Sequence, residues 1–245
     1  MVELLRGEHQ ITVLAPGDAF EFLAPLYQSS DVRVREIPGL RFRYRDTGRL
    51  DSLRTAGGAA RYLRGLPRLI GEIEELLTTE AFDLAITDFE PGLPRAARRC
   101  RVPLLSVSHQ HFLLTYDLRC LPRSLRLHAA YMRWIVRAYY SGQTHTVVSS
   151  FYFPPLRPGC QNVTQVGVLL RPELREAAPV PGDYLVATAG NQLVGETLFL
   201  GKPCFGMPEA GNFEQYINAH FLGQTGAGRW MGLEQVVPKA LQEFE

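Results

Sequence analysis

ATAGNQLVGETLFLGKPCFGMPEAGNFEQYINAH, residues 187–220, decides how the rest of this 245-residue chain is read. It begins where the apolar run YLVA ends, and a Gly190-Asn191 turn follows. A helical pattern starts near Gln192, then a short apolar strand, CFGMP. A second polar turn, EAGN, leads into another helix from about Asn212. Strand, turn, helix, strand, turn and helix in such close succession is the rhythm of an α/β domain with a parallel sheet.

In open parallel sheets, ligands bind outside the carboxyl ends of the strands. Gly190, Asn191 and Gln192 stand at such an end. A helix opening there presents free N–H groups and a positive dipole end, which suits a phosphate. Glu196, one turn further, is spaced to accept hydrogen bonds from a ribose diol if it faces the cleft. Glu209, Asn212, Glu214 and Gln215 gather at the second helix start, where an acid–amide pair suits sugar hydroxyls. Each feature alone is as readily a turn or a cap; together they point to a ligand.

Outward from this stretch the same alternation holds. ITVLA reads as a strand, PGDAFEFLAPLY as a helix, and residues 32–37 as a second strand. Residues 53–79 carry helical spacing in Leu63, Leu66, Leu69, Ile70, Ile73, Leu76 and Leu77. LAITDFE, a helix around PRAARRC, VPLLSVSHQH, a helix over 123–140 and the strand THTVVSS follow. The segment 151–181 is dense in proline (Pro154, Pro155, Pro158, Pro172, Pro179, Pro181) and reads as a linker broken by the strand NVTQVGV. The expected segments are 1–150 and 182–245, with 151–181 between them.

Composition narrows the class. The apolar share is 46%, charged residues make up 21%, and the net charge is +1, so no global field draws the chain to nucleic acid. Arginine is concentrated early, at Arg33, Arg35, Arg41, Arg43, Arg45, Arg49, Arg54, Arg61, Arg64 and Arg68, and reads as a solvated surface. Cys100, Cys120, Cys160 and Cys204 are widely spaced and read as reduced thiols without a metal. MVELLRGEHQ carries charges where a secretory leader needs an apolar run, and no stretch reaches the ~18–20 apolar residues of a spanning helix. The expected location is the cytoplasm, with possible peripheral contact at the inner membrane face through RSLRLHAAYMRWIVRAYY, whose arginines and aromatics interleave with an apolar stripe.

Asp88 follows the strand LAITDFE, and His109 and His111 follow VPLLSVS. All three are expected at strand carboxyl ends, facing the cleft, where a carboxylate or imidazole would act as general base toward an attacking hydroxyl. Alternating positions on an extended segment would put both histidines on one side.

The pattern T-A-G-N-x-x-x-x-E-x-x-x-x-G-K-P, followed by a strand and P-x-x-G-x-x-E-Q-x-x-N-A, resembles the donor half of GT-B glycosyltransferases. The nearest subgroup is that of the UDP-glucuronosyltransferases and the peptidoglycan N-acetylglucosaminyltransferase, family 28-like. IPGLRFRY, DLAITDFEPGLPRAAR, VPLLSVSHQH and VGVLLRPE extend the resemblance over most of the chain. It implies two Rossmann-like domains, 1–150 on the acceptor side and 182–245 as a partial nucleotide-sugar-binding domain, with a UDP-sugar as donor and no metal or cofactor. Matched by position, Gly190, Asn191 and Gln192 are the phosphate-side turn, Glu196 the ribose acid, and Glu214 with Gln215 the sugar pair. The implied reaction is hexosyl transfer to a small-molecule or lipid-linked acceptor.

Two expected parts are missing from the pattern. No Gly-x-Gly-His loop precedes LLRGEHQITVLAPG, and PGDYLVA runs straight into TAGNQ where two or three strand–helix units are expected. Only 64 residues follow Pro181, which is small for a domain with its own core. A nucleotide-sugar 2-epimerase of the same fold and a non-catalytic remnant that binds a ligand or partner are the alternative readings.

Overall fold

The structure, a computed structural model, describes residues 1–39, 52–140, 142–178 and 184–235. Arg41, Arg43, Arg45 and Arg49, the RFRY part of IPGLRFRY, residues 179–183 and the side chain of Arg54 lie outside the described residues. Two compact units are present, Met1–Ala85 with Glu90–Pro103, and Ile86–Phe89 with Leu104–Glu245. This is a different division from the segments 1–150, 151–181 and 182–245 read in the sequence.

In the first unit a short helix, α1 (Val2–Leu5), precedes β1 (Thr12–Pro16), α2 (Gly17–Tyr27) and β2 (Arg33–Ile37). The two strands pair in parallel from Thr12 opposite Arg33 to Pro16 opposite Ile37. The long α3 (Ser52–Thr79) packs on α4 (Gly92–Cys100). Leu69, Ile70, Ile73, Leu76 and Leu77 are buried, as their helical spacing requires. Arg33, Arg35, Arg61, Arg64 and Arg68 are all exposed. Arg33 and Arg35 both pair with Glu80, and Arg68 pairs with Glu72, so the described part of the arginine segment is a solvated face.

The second unit carries two parallel arrays. β3 (Ala85–Thr87), β4 (Leu104–Val107), β5 (His145–Ser149) and β6 (Val163–Val166) lie side by side in that order, with β4, β5 and β6 parallel. Between β4 and β5 run a 3-10 turn at His109–His111, α5 (Phe112–Thr115) and α6 (Arg123–Tyr139). After β6 come α7 (Pro172–Glu176), β7 (Leu185–Ala187), α8 (Asn191–Phe199), β8 (Cys204–Gly206), α9 (Phe213–Thr225) and β9 (Gly228–Trp230). β7, β8 and β9 form a three-stranded parallel sheet in chain order. The segment read as a linker thus supplies a paired strand, β6, and the helix α7.

The larger of the buried clusters in this unit joins α9 to the β4–β5 region, and a second gathers Ala187, Val194, Cys204 and Leu222. Phe112, Tyr116, Val136, Val148, Tyr152, Ile217 and Phe221 are buried in a single cluster. Phe221 of α9 stacks on Tyr152 with ring centroids 4.0 Å apart. Burying each such side chain contributes about 1.5–3 kcal/mol, so α9 and the β4–β5 region are fixed to each other by packing. The four cysteines are free. Among the described residues no helix is long and apolar enough to cross a membrane.

Candidate functional site

The first half of the site is the β7–α8 connection. Ala189, fully buried, takes the left-handed backbone conformation at φ 57°, which costs a non-glycine residue about 1–2 kcal/mol. Gly190 then caps α8 at φ −67° without a side-chain cap. No atom lies within 4 Å of where a Cβ on Gly190 would stand, so neither conformation nor crowding in the fold demands glycine there. Asn191 is nearly buried. Its amide donates to Ser149 O at 3.2 Å, and its Oδ1 accepts from Phe151 N at 3.4 Å. This anchors the helix start to the end of β5.

Gln192 and Glu196 belong to one local network. Gln192 Nε2 donates to Leu169 O at 2.8 Å and to Glu196 Oε1 at 2.7 Å. Arg171 grips the Glu196 carboxylate with two bonds, Nε to Oε1 at 3.1 Å and Nη2 to Oε2 at 2.8 Å. Gly195 makes this possible: a Cβ there would stand 2.4 Å from Val168 Cγ1, so α8 approaches the chain after β6 only because the side chain is absent. Burial would raise the Glu196 pKa, but the bonds from Arg171 and Gln192 outweigh it and hold the carboxylate ionised. Glu196 therefore does not point into bulk water. Its partner does: the Arg171 side chain is 66% exposed against 6% for Glu196.

The second half is the start of α9. Asn212 is its N-cap, with Oδ1 accepting from Gln215 N at 3.4 Å. Gln215 turns back to the preceding loop, accepting from Glu209 N at 2.7 Å and donating to Glu209 Oε2 at 3.4 Å. Glu214 takes another direction. It accepts from Gln110 Nε2 at 2.6 Å, and its carboxylate lies 3.8 Å from His109 Nε2. The acid–amide pair expected to act together is thus divided between two contacts.

His109 is the hub of the opposite side. Its Nδ1 lies 3.0 Å from Ser149 O, and its Nε2 lies 3.3 Å from Asn218 Oδ1. Asn218, fully buried, has its amide oriented by its other partners: Nδ2 donates to Ala189 O at 3.1 Å, and Oδ1 accepts from the Tyr152 hydroxyl at 3.2 Å. Both imidazole nitrogens therefore face oxygen acceptors. Burial lowers the His109 pKa, while the Glu214 carboxylate is the largest influence opposing it. The neutral ring donates from Nδ1 and keeps a lone pair on Nε2; a proton arriving at Nε2 meets acceptors already in place. Asp88, at the end of β3, also acts on His109 electrostatically. Burial raises the Asp88 pKa, against the opposing pull of the Ser108 hydroxyl and His109.

His111 corrects the sequence reading. Residues 109–111 form a 3-10 turn rather than an extended segment, so the two imidazoles diverge. His111 is fully buried, its Nε2 2.5 Å from Ser106 Oγ and its ring 3.9 Å from that of Tyr140. Burial lowers its pKa to about 4. A ring without solvent access and neutral at physiological pH supports the turn that carries His109 and cannot reach a substrate. The sequence reading also gave no role to Asn218 or Tyr152. Asn218 stood in the quoted E-Q-x-x-N-A pattern, one helical turn beyond Glu214, and that spacing was the available signal.

The family model described as "Glycosyl transferase family 1" matches residues 1–186 and 183–245. Its two segments overlap at residues 183–186, the DYLV of PGDYLVA. Among solved structures, the chain is similar to MurG of Acinetobacter baumannii at 12% identity, covering 98% of this chain and 83% of that one with a TM-score of 0.58. It is similar to the glycotransferase of kitacinnamycin at 14% identity, with the same 98% and 83% coverage and a TM-score of 0.56. LpCGTa in complex with UDP aligns at 15% identity over 91% of this chain and 78% of that one, with a TM-score of 0.55. No curated protein is matched.

Proposed function

Since the chain belongs to glycosyl transferase family 1, we propose that it transfers a hexosyl group from a nucleotide sugar, a UDP-sugar, to an acceptor hydroxyl. The observation that carries this reading is the meeting of Glu214, from the start of α9, with His109, from the end of β4, at 3.8 Å. It brings a carboxylate suited to sugar hydroxyls beside an imidazole suited to proton removal, both beyond the carboxyl ends of parallel strands. The choice of nucleotide follows the UDP bound by LpCGTa.

In this reading the uncapped start of α8, at Gly190, Asn191 and Gln192, receives the diphosphate on backbone N–H groups, and no metal is needed to neutralise it. Glu196 receives the ribose, whose diol replaces the exposed guanidinium of Arg171 on the carboxylate. Glu209, Asn212 and Gln215 line the sugar end with Glu214. His109 Nε2 takes the acceptor's proton as the new glycosidic bond forms and the bond to the nucleotide diphosphate breaks. The imidazolium is then stabilised by the field of Glu214 at the moment it forms. Asp88 stabilises the same charge from β3.

A thermal-shift series with UDP, dTDP and GDP sugars tests the proposal, and Gly190→Val is its key variant. The site is open, so unliganded stability should stay within about 1 kcal/mol of wild type. The methyl groups would obstruct the phosphate mouth and abolish the shift given by UDP-sugar. A variant that keeps the wild-type shift refutes the phosphate role of α8.

A further inference from the structure

A second polar site lies on α6, away from the residues assigned above. α6 is unusual in charge: its 17 residues, RSLRLHAAYMRWIVRAY, include Arg123, Arg126, Arg133 and Arg137 and no acid. A cavity of about 480 Å³ opens along it, lined by Arg126, Arg133, Arg119 and Arg157, with Ala129 and Ala130 making room. Asp117 is the only acid in the lining, and it is held by Arg119.

Arg157 is built into the wall rather than loose on it. Its backbone N donates to Thr115 O at 2.7 Å, and its Nε donates to Tyr116 O at 2.7 Å. Among the described residues its terminal amino groups meet no protein acceptor. Burial first, and then the neighbouring Arg133, disfavour the charge on this half-buried guanidinium, while Asp117 partly offsets them. Arg126 and Arg133 form no ion pair or side-chain hydrogen bond among the described residues. Like charges brought together with one fixed in a wall and two unpaired are unfavourable unless an anion is present. Guanidinium groups are also the side chains whose paired N–H donors match phosphate oxygens.

We propose that the Arg119–Arg126–Arg133–Arg157 cavity binds a phosphomonoester or diphosphate group, as a site separate from the nucleotide-sugar site. Two sources present that chemistry. Leu127, Tyr131 and Trp134 are 65%, 64% and 80% exposed on the adjoining stripe of α6, as a lipid headgroup bound at a membrane surface would require. A soluble phosphorylated compound needs the arginines alone.

The test is calorimetric titration of the whole chain with inorganic pyrophosphate at low salt, beside the double variant R126Q/R133Q. Neither side chain makes an ion pair or a side-chain hydrogen bond among the described residues, and Arg126 is exposed. The wild type should bind with an affinity that falls as salt rises, and the double variant about tenfold more weakly or worse. The UDP thermal shift should be the same in both. No binding by the wild type, equal binding by the double variant, or loss of the UDP shift in that variant overturns the proposal. Co-sedimentation with phosphatidylcholine vesicles holding about one-fifth phosphatidic acid, run beside glycerol 3-phosphate titration, distinguishes the sources. Arginine-dependent binding that is stronger to vesicles assigns a lipid headgroup; stronger to the soluble ester, it assigns a small molecule.

Discussion

Acid should weaken this fold through His111 more than through any exposed group. The ring is fully buried, its Nδ1 has no hydrogen-bond partner among the described residues, and burial takes its pKa down to about 4. Once unfolded it titrates near 6.5. Between those values the unfolded chain binds a proton that the folded chain refuses. The stability due to the neutral ring is therefore fully present above pH 6.5 and is lost as the pH falls toward 4. At about 1.4 kcal/mol per pH unit over a window of about 2.5 units, the loss is roughly 3 kcal/mol. This is a large part of the 5–15 kcal/mol or so that keeps a domain folded. Carboxylates such as Glu196 titrate nearby, so a control is needed. His111→Leu removes the titrating ring and costs about 1–2 kcal/mol at pH 7 through the lost Ser106 bond, but it should flatten the profile. Urea unfolding followed by far-UV circular dichroism at steps from pH 7 to about 4.5 gives both curves. Parallel profiles for wild type and His111→Leu would refute the reasoning.

Three further outcomes follow from the geometry. Gly228→Ala places a Cβ 2.5 Å from Leu222 Cδ1 and 2.6 Å from Cys204 O and should cost about 2–3 kcal/mol in urea unfolding. Gly65→Ala, in the open on α3, should instead be neutral or stabilising by up to about 1 kcal/mol; equal effects would contradict the packing of β9. Asn218→Leu strands the Tyr152 hydroxyl and Ala189 O in the core and should lower stability by about 3 kcal/mol, a value that Tyr152→Phe in the same background should partly restore. Glu214→Gln keeps an acceptor for Gln110 but removes the charge beside His109. Calorimetry should show UDP affinity within about twofold of wild type and the added affinity of UDP-sugar over UDP reduced about tenfold; an intact increment removes Glu214 from the sugar site.

Much of the fold was legible because it is written in local period. The apolar run YLVA became β7, CFGMP became β8, and the helix expected from about Gln192 opens one residue earlier, at Asn191. Residues 53–79 showed their buried face through Leu69, Ile73 and Leu76. The strand expected at NVTQVGV, past prolines at 154, 155 and 158, became β6 and pairs with β5, while the helix α7 beyond it was not expected. β9 escaped because Gly228, Arg229 and Trp230 carry no strand alternation; what places them is pairing with Cys204, Phe205 and Gly206 of β8. The site was legible as an inventory and illegible as a geometry. Glu214 and Gln215 are adjacent in sequence, but helix geometry turns them about 100° apart, so one meets Gln110 and the other Glu209. Likewise the 3-10 turn at 109–111, which no period announces, separates His109 from His111.

Two strained residues bear on where the chemistry lies. Phe89 at φ 48° and Ala189 at φ 57° are non-glycine residues in the left-handed region, and each holds about 1–2 kcal/mol of strain. Phe89 directly follows Asp88 at the end of β3, and Ala189 directly precedes Gly190 at the end of β7. Neighbours fix both. Phe89 stacks on Tyr139 with centroids 4.6 Å apart, and Asn218 takes the Ala189 carbonyl. Glycine would relieve either turn, yet both positions keep a side chain, and the residue each one aims is a proposed participant. Asn218 ties the cases together, because one amide supports the strained Ala189 turn through Nδ2 and faces His109 through Oδ1. Under the proposed function, binding of a diphosphate at α8 and protonation of His109 are physically linked through a single side chain. Any ligand that shifts Ala189 must also move the acceptor facing His109 Nε2.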